Sequence, residues 1–391
     1  MNYKRRDNAM KKSILTLAVC GLFVMATSVV YGETLELTKD AYIEEVIVNN
    51  FELTQLEEDL VDETKEYKAA LRTAKSIDEL TWDEFNDNYE TKESKTRAVK
   101  AKMYNSLKEG KEYYDKYIEV IQKRDAITLA AENNYYNYLN AIKDLEIKNE
   151  NLKLTKDKYD VKVTEERIGQ ASALDLLAYE KTYNDALGQQ LKASNLVDKR
   201  RNTFNLYIDR PINTAIELSQ VDIVLPDFKI NSLDVALPSL LENSYLKKTQ
   251  ELELKRLEMD RTVKGRTSGF GDVKIELEQN EIAVKEVKEQ IEDATLIIEY
   301  QLRTNYNNTL AAENVFKSAE LQLEIAKTNL NVAKVKEKND MISSLDYIQA
   351  KQNYDSAVKT YLDAKLAAYT AYVSFNNFMN LNSLAVPMDL K

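Results

Sequence analysis

Residues 347–378 carry an apolar stripe with a seven-residue period, and that stripe limits what the chain can become. Tyr347, Tyr354, Tyr361, Ala368 and Phe375 recur at every seventh position, and Ala350, Ala357, Ala364, Ala371 and Phe378 form a second column three residues behind. Two such columns sustained over more than four periods mark a helix in a coiled coil, because a repeat of 3.5 keeps one seam turned toward a partner. The alanines permit close helix approach and the aromatics fill the gaps between. A lone hairpin would cover such a stripe only in part. Tyr354, Ala357, Tyr361, Ala364, Ala368 and Ala371 are therefore expected to form a seam between copies of the chain.

The same segment occurs twice. At an offset of 171 and without a gap, Glu166 falls on Glu337, Ser172 on Ser343, Leu174 on Leu345 and Asp175 on Asp346. Further along, Tyr183 falls on Tyr354, Ala186 on Ala357, Ala193 on Ala364 and Phe204-Asn205 on Phe375-Asn376. In both copies a long periodic run meets a short polar break, and a new helix opens at Ser-x-Leu-Asp. Ser before an apolar run can accept from the first free N–H groups, and Asp in the first turn suits the positive helix end. Each copy reads as a helical hairpin, with tips near 167–175 and 338–346. In the first copy Gln190 and Arg200 interrupt the stripe, so its seam is less regular.

Only 8 Gly and 4 Pro punctuate 391 residues, and 30% of the chain is charged. That balance fits long exposed helices rather than a compact many-stranded fold. The expected class is all-α: elongated coiled-coil hairpins in two internal repeats, 33–215 and 239–391, joined by a linker at 216–238.

Residues 1–32 read as a secretory signal. Lys4, Arg5, Arg6, Lys11 and Lys12 precede an apolar run from Ile14 to Val30, with small residues near Gly32 for cleavage. The run could instead be kept as an anchor, being near the lower length limit of a membrane span. Cys20 is the only cysteine, in a poor lipoprotein-type context after Val19. After cleavage no thiol would remain, leaving packing alone to stabilise the fold.

After the signal, Thr38 is expected to cap a helix running to about Lys75. Asn50-Phe51 matches Ser244-Tyr245 at an offset of 194, so the first half holds 23 more residues between its helices, within 76–98. The corresponding place in the second half runs from Gly265 through Asn280. There Val273, Ile275 and Leu277 alternate with polar residues, which allows one short strand.

The chain carries a net −11, and residues 1–32 hold five basic and one acidic residue, leaving about −15 for the remainder. A nucleic-acid partner is excluded on charge. With no His and at most one Cys, the usual acid–base shuttle, zinc ligands and thiol nucleophile are missing. Gly265 to Gly271 lacks the Lys-Ser/Thr of a phosphate loop. No enzyme activity, metal or cofactor is expected, and the many carboxylates read as solvated helix faces.

Leu35-Glu36-Leu37-Thr38-Lys39-Asp40-Ala41, Asn49 to Leu53, the two halves, and Gly169-x-x-Ser172-x-Leu174-Asp175-Leu176-Leu177 together resemble the TolC-like outer-membrane efflux family. Tyr183 to Asn205, Tyr207 to Pro211 and Ser344 to Ala350 extend the resemblance to most of 33–385. It implies a homotrimer whose helices form a hollow cylinder. Its hairpin tips would dock a membrane-fusion-type adaptor and pass substrate from an inner-membrane transporter. Carried over, Gly169, Ser172, Leu174 and Asp175 match the first tip, and Ser343, Leu345 and Asp346 the second, where Asp340 replaces the usual Gly. Arg167 and Lys338 flank them. Family members insert two membrane strands in each half, at the places held here by 76–98 and 265–280. A membrane strand needs about 9–11 alternating residues, so this chain is expected to lack the barrel.

Two functions follow: the helical duct of an envelope export system, or an exported coiled-coil scaffold without transport activity. Each tip residue also has a plain structural role open to it. Leu174 and Leu345 could pack or contact a partner, Asp175 and Asp346 could cap or carry gate charge, and Gly169 could turn the chain or form a docking surface.

Overall fold

The computed structural model describes residues 35–225, 233–267 and 273–384; the expected signal lies outside them. In chain order the elements are β1 (Leu35–Leu37), α1 (Lys39–Val48), α2 (Phe51–Asp78), α3 (Trp82–Asn88) and α4 (Lys92–Lys100). A π-helical turn (Ala101–Asn105) then leads into α5 (Ser106–Arg167), followed by α6 (Ala173–Tyr207) and β2 (Ile216–Leu218). The second half consists of α7 (Leu233–Asn243), α8 (Tyr245–Thr267), α9 (Val273–Lys338) and α10 (Ser344–Leu381). The long helices predicted from the heptads are present: α5 has 62 residues and α9 has 66, or roughly 90–100 Å each at 1.5 Å per residue.

The two halves share contacts as well as sequence. Tyr135 meets Phe204 with ring centroids 6.1 Å apart, and Tyr306 meets Phe375 at 6.4 Å, the same pair displaced by 171. Asn50 and Ser244 both mark helix breaks. The Asn50 side chain accepts from Leu53 N–H at 2.9 Å, and Ser244 Oγ accepts from Lys247 N–H at 3.2 Å. The first helix is thus not continuous to Lys75. Thr38 does cap it, but it stops at Val48 and a second begins at Phe51, because Asn50 takes over an amide that a continuous helix would bond internally.

One further expectation changes, and two features go beyond the expectations. Val273–Leu277 is the start of α9 rather than a strand; a five-residue alternation is too short to outweigh the helix that follows. The linker contains ordered elements, β2 and α7, the latter with Pro238 inside it. Finally, β1 pairs in parallel with β2, Leu35 opposite Ile216 and Leu37 opposite Leu218. Both strands read apolar-Glu-Leu, and three residues are too few for a periodic signal. Tyr135 Oη supports this clasp, 2.8 Å from the Ser219 carbonyl and 3.2 Å from that of Leu37.

Around the clasp sits the main core. Tyr42 stacks on Phe204 at 3.7 Å between centroids, and Val46, Ala131, Leu139, Ile208 and Leu366 close around them. Leu366 belongs to α10, so this cluster also binds the second hairpin to the first. The places where the family inserts membrane strands are helical among the described residues: α3 and α4 in one half, the opening of α9 in the other.

Candidate functional site at the hairpin tips

Both tips are built by one device. At the end of α5, Gly169 adopts φ 77°. Its N–H reaches the Glu166 carbonyl at 2.9 Å, and Gln170 N–H reaches that of Glu165 at 2.7 Å. At the end of α9, Asp340 adopts φ 56°; Asp340 N–H bonds the Glu337 carbonyl at 3.1 Å and Met341 N–H that of Lys336 at 2.8 Å. This is the Schellman closure, which needs one residue in the left-handed region. Asp tolerates that region better than most L residues, so the departure from Gly leaves the turn unchanged.

The return helices start alike. Ser172 Oγ accepts from Asp175 N–H at 3.1 Å, while the Asp175 carboxylate accepts from Ser172 N–H at 3.1 Å and from its hydroxyl at 2.7 Å. Ser343 and Asp346 repeat the box at 3.1, 3.0 and 2.7 Å. These bonds to Ser hold both carboxyls below the usual Asp range. Asp175 and Asp346 therefore serve as caps.

The remaining predicted tip residues differ between the two. Leu174 is 77% exposed, whereas Leu345 is half-buried. Arg167, Gly169, Lys338 and Asp340 are exposed. Sequence reasoning missed two apolar side chains beside them, Ile168 and Met341, exposed by 60% and 70%; they occupy polar breaks and belong to no periodic run. It also missed the tie between hairpins. Lys158 Nζ on α5 lies 2.5 Å from Glu337 Oε1 on α9, and Ser344 Oγ donates to the same oxygen at 3.0 Å. The bond to Lys158 is the main reason the Glu337 carboxyl sits below its ordinary range.

Behind the tips the four long helices pack in the order α6, α5, α10, α9. Hydrogen bonds join α5 to α10, Asn133 to Thr370 at 2.6 Å and Glu132 to Tyr369 at 3.0 Å. The heptad stripe of α10 is used here. Ala357, Ala364 and Ala368 are 8%, 6% and 0% exposed within one chain. Tyr361 meets Phe316 of α9 at 5.5 Å, and Tyr354, Tyr361 and Ala371 are half-buried. The stripe assigned to a seam between copies is therefore largely covered from inside the chain. A heptad declares a helical partner but not which molecule supplies it.

The outward apolar row lies instead on α9. Leu321, Ile325, Val332 and Val335 are exposed by 68%, 61%, 47% and 61%, and with Thr328 they follow alternating steps of four and three. Ile325 also lines an open groove of about 400 Å³ between α9 and α10. At the other edge α6 exposes Leu174, Leu177 and Leu191.

No family model matches the sequence, and neither does any curated protein. Solved structures do match. The open-state MtrE outer membrane channel of Neisseria gonorrhoeae aligns over 92% of this chain and 95% of its own, with a TM-score of 0.60 at 12% identity. A membrane protein from Pseudomonas aeruginosa aligns over 87% and 90%, with 0.63 at 12%. The CmeC outer membrane channel of Campylobacter jejuni aligns over 93% and 92%, with 0.56 at 14%. With long helices in two hairpins and this likeness along nearly the whole described length, the chain has the fold of the TolC-like outer-membrane channels.

Proposed function

We propose that this chain is one protomer of a homotrimeric helical duct in an envelope export or efflux system. Its tips would be docked by an adaptor of the membrane-fusion type that serves an inner-membrane transporter. The observation that carries the reading is the row α6–α5–α10–α9, whose two edge helices both expose apolar side chains. Joining the α6 edge of one copy to the α9 edge of the next is a head-to-tail contact, and such contacts close into a ring when the rotation permits. Three copies would set twelve helices around an axis. At about 9–10 Å between neighbours the ring would be roughly 35 Å across between axes, wide enough to leave a lumen. The fold's likeness to efflux channels supports transport, and the expected export signal supports an extracytoplasmic location.

The test has two arms. Sedimentation of the purified chain should give a trimer mass, and a monomer at micromolar concentration would remove the duct. A pull-down with an adaptor-type coiled-coil protein should lose binding in Leu174→Asp combined with Leu345→Asp, because charge would replace desolvated apolar anchors. Helicity should stay near wild type, as both residues open a helix. Unchanged binding by the folded double variant would leave an exported coiled-coil scaffold as the better reading.

A further inference from the structure

Far from the tips, where α2 ends and α5 begins, α3 and α4 form a small helical insert. Each starts with its own capping box, Thr81 with Glu84 and Thr91 with Ser94. α3 buries no side chain. It carries Trp82, the only tryptophan of the chain, 75% exposed. Trp82 stacks toward Phe85 with centroids 6.3 Å apart and 20° between planes, and Phe85 meets Tyr89 at 5.1 Å. An indole this exposed, flanked by two further rings, is an aromatic face left open among the described residues.

Charge says what would cover it. α3 holds Asp83, Glu84 and Asp87 and no basic residue, and Glu90 follows. Asp83, Asp87 and Glu90 form no ion pair among the described residues. Lys95, on α4, donates to the side-chain oxygen of Asn86 at 2.5 Å. Upstream, Asp78 and Glu79 are paired to Lys102 and Lys75. An aromatic face rimmed by unpaired carboxylates attracts cations twice, through the ring quadrupole and by simple charge. It repels an anionic bilayer for the same reason.

We propose that the Trp82–Phe85–Tyr89 face, with Asp83, Asp87 and Glu90, is a docking surface for a Lys/Arg-rich segment of a partner protein, with a basic side chain laid over Trp82. The surface is remote from the hairpin tips and does not depend on the duct reading.

The probe is an unstructured Lys/Arg-Ser-Gly decapeptide titrated into the full chain. Binding is followed by Trp82 fluorescence and, independently, by anisotropy of a labelled peptide. Saturable binding is expected, with a fluorescence change at Trp82 that weakens as salt is raised. Trp82→Ala should weaken the anisotropy-detected affinity about two- to fivefold. Asp83→Asn with Asp87→Asn and Glu90→Gln should weaken it tenfold or more. Since the whole chain is acidic, a control neutralises Glu286, Glu289 and Glu292 on α9, and this should leave affinity unchanged. Equal loss in the control and in the α3 variant would overturn the proposal, as would a silent Trp82. Vesicles of phosphatidylcholine with and without phosphatidylglycerol serve as the competing probe. Partitioning that shifts Trp82 fluorescence while the peptide does not would make this a membrane contact and refute the proposal.

Discussion

Ala364 and Val332 make a matched pair that separates packing within the chain from packing between chains. Ala364 is 6% exposed, on the α10 face covered by its own neighbours. Ala364→Glu places a carboxylate there, which costs several kcal/mol when it has no partner. That is a large share of the roughly 5–15 kcal/mol that holds a typical protein folded. Val332 is 47% exposed on the outer row of α9. Val332→Glu meets water in the isolated chain, so its effect on the fold stays within about 0.5 kcal/mol. In an assembled ring the order reverses. Covering the remaining surface of Leu321, Ile325, Val332 and Val335 is worth roughly 1–2 kcal/mol each, before the costs of association are subtracted. A carboxylate in that row removes one term and adds a buried charge. The assay is urea unfolding followed by circular dichroism, with sedimentation velocity on the same samples. Ala364→Glu should lower the unfolding midpoint markedly. Val332→Glu should keep the midpoint at low protein concentration and shift the assembly toward monomer. If Val332→Glu unfolds the chain, or Ala364→Glu alters assembly with no loss of fold stability, the two faces do not divide between inner and outer packing.

The tips give a second test. A Cβ on Gly169 would meet nothing within 4 Å, so Gly169→Ala should cost only the backbone penalty of the left-handed region, about 1–2 kcal/mol. Asp340→Gly should recover a similar or smaller amount; amide exchange at Gln170 and Met341 reads both. Glu337→Gln should loosen the tie to Lys158 and speed exchange near the second tip. Because the Glu337 carboxyl is held below its ordinary value, its contribution is present above the unfolded pKa of about 4.3 and fades as pH falls through the lower folded value. The same Glu337→Gln variant should therefore lose its difference from wild type in strong acid. At the alkaline end, burial pushes the Tyr135 phenol up to about 12. Its deprotonation is penalised in the folded state, so stability should decline as pH climbs from about 10 toward that value, and spectrophotometric titration should show late-ionising tyrosines.

Periodicity carried most of the architecture. The stripe from Tyr347 to Phe378 and the duplicated Ser-x-Leu-Asp were enough to place two hairpins, and Ser172 and Ser343 were legible as caps because capping is a local interaction of three or four residues. What the sequence concealed was pairing at a distance. Nothing local distinguishes an Ala column that faces α9 of the same chain from one that faces a neighbour, so the stripe alone does not name its partner. The outer row of α9 was overlooked because Thr328 sits mid-row and polar residues separate it from Ile297 and Tyr300 upstream. The break at Asn49-Asn50 was masked for a different reason: apolar spacing continues across it, and only the Asn50 side chain shows that the backbone does not.

The strand pair β1–β2 has a consequence for the order in which the molecule is made. Among the described residues Leu35 finds its strand partner at Ile216, so the clasp encloses the whole first hairpin and is the longest-range closure the first half makes. During synthesis the first residues of β1 must wait until the chain has been extended beyond residue 218. By then α5 and α6, the most extensively paired helices of the first half, are both complete and can zip together. The clasp therefore acts as a latch on a finished hairpin and not as its nucleus. Substitutions in Leu37 or Leu218 should accelerate unfolding while leaving the refolding rate nearly untouched.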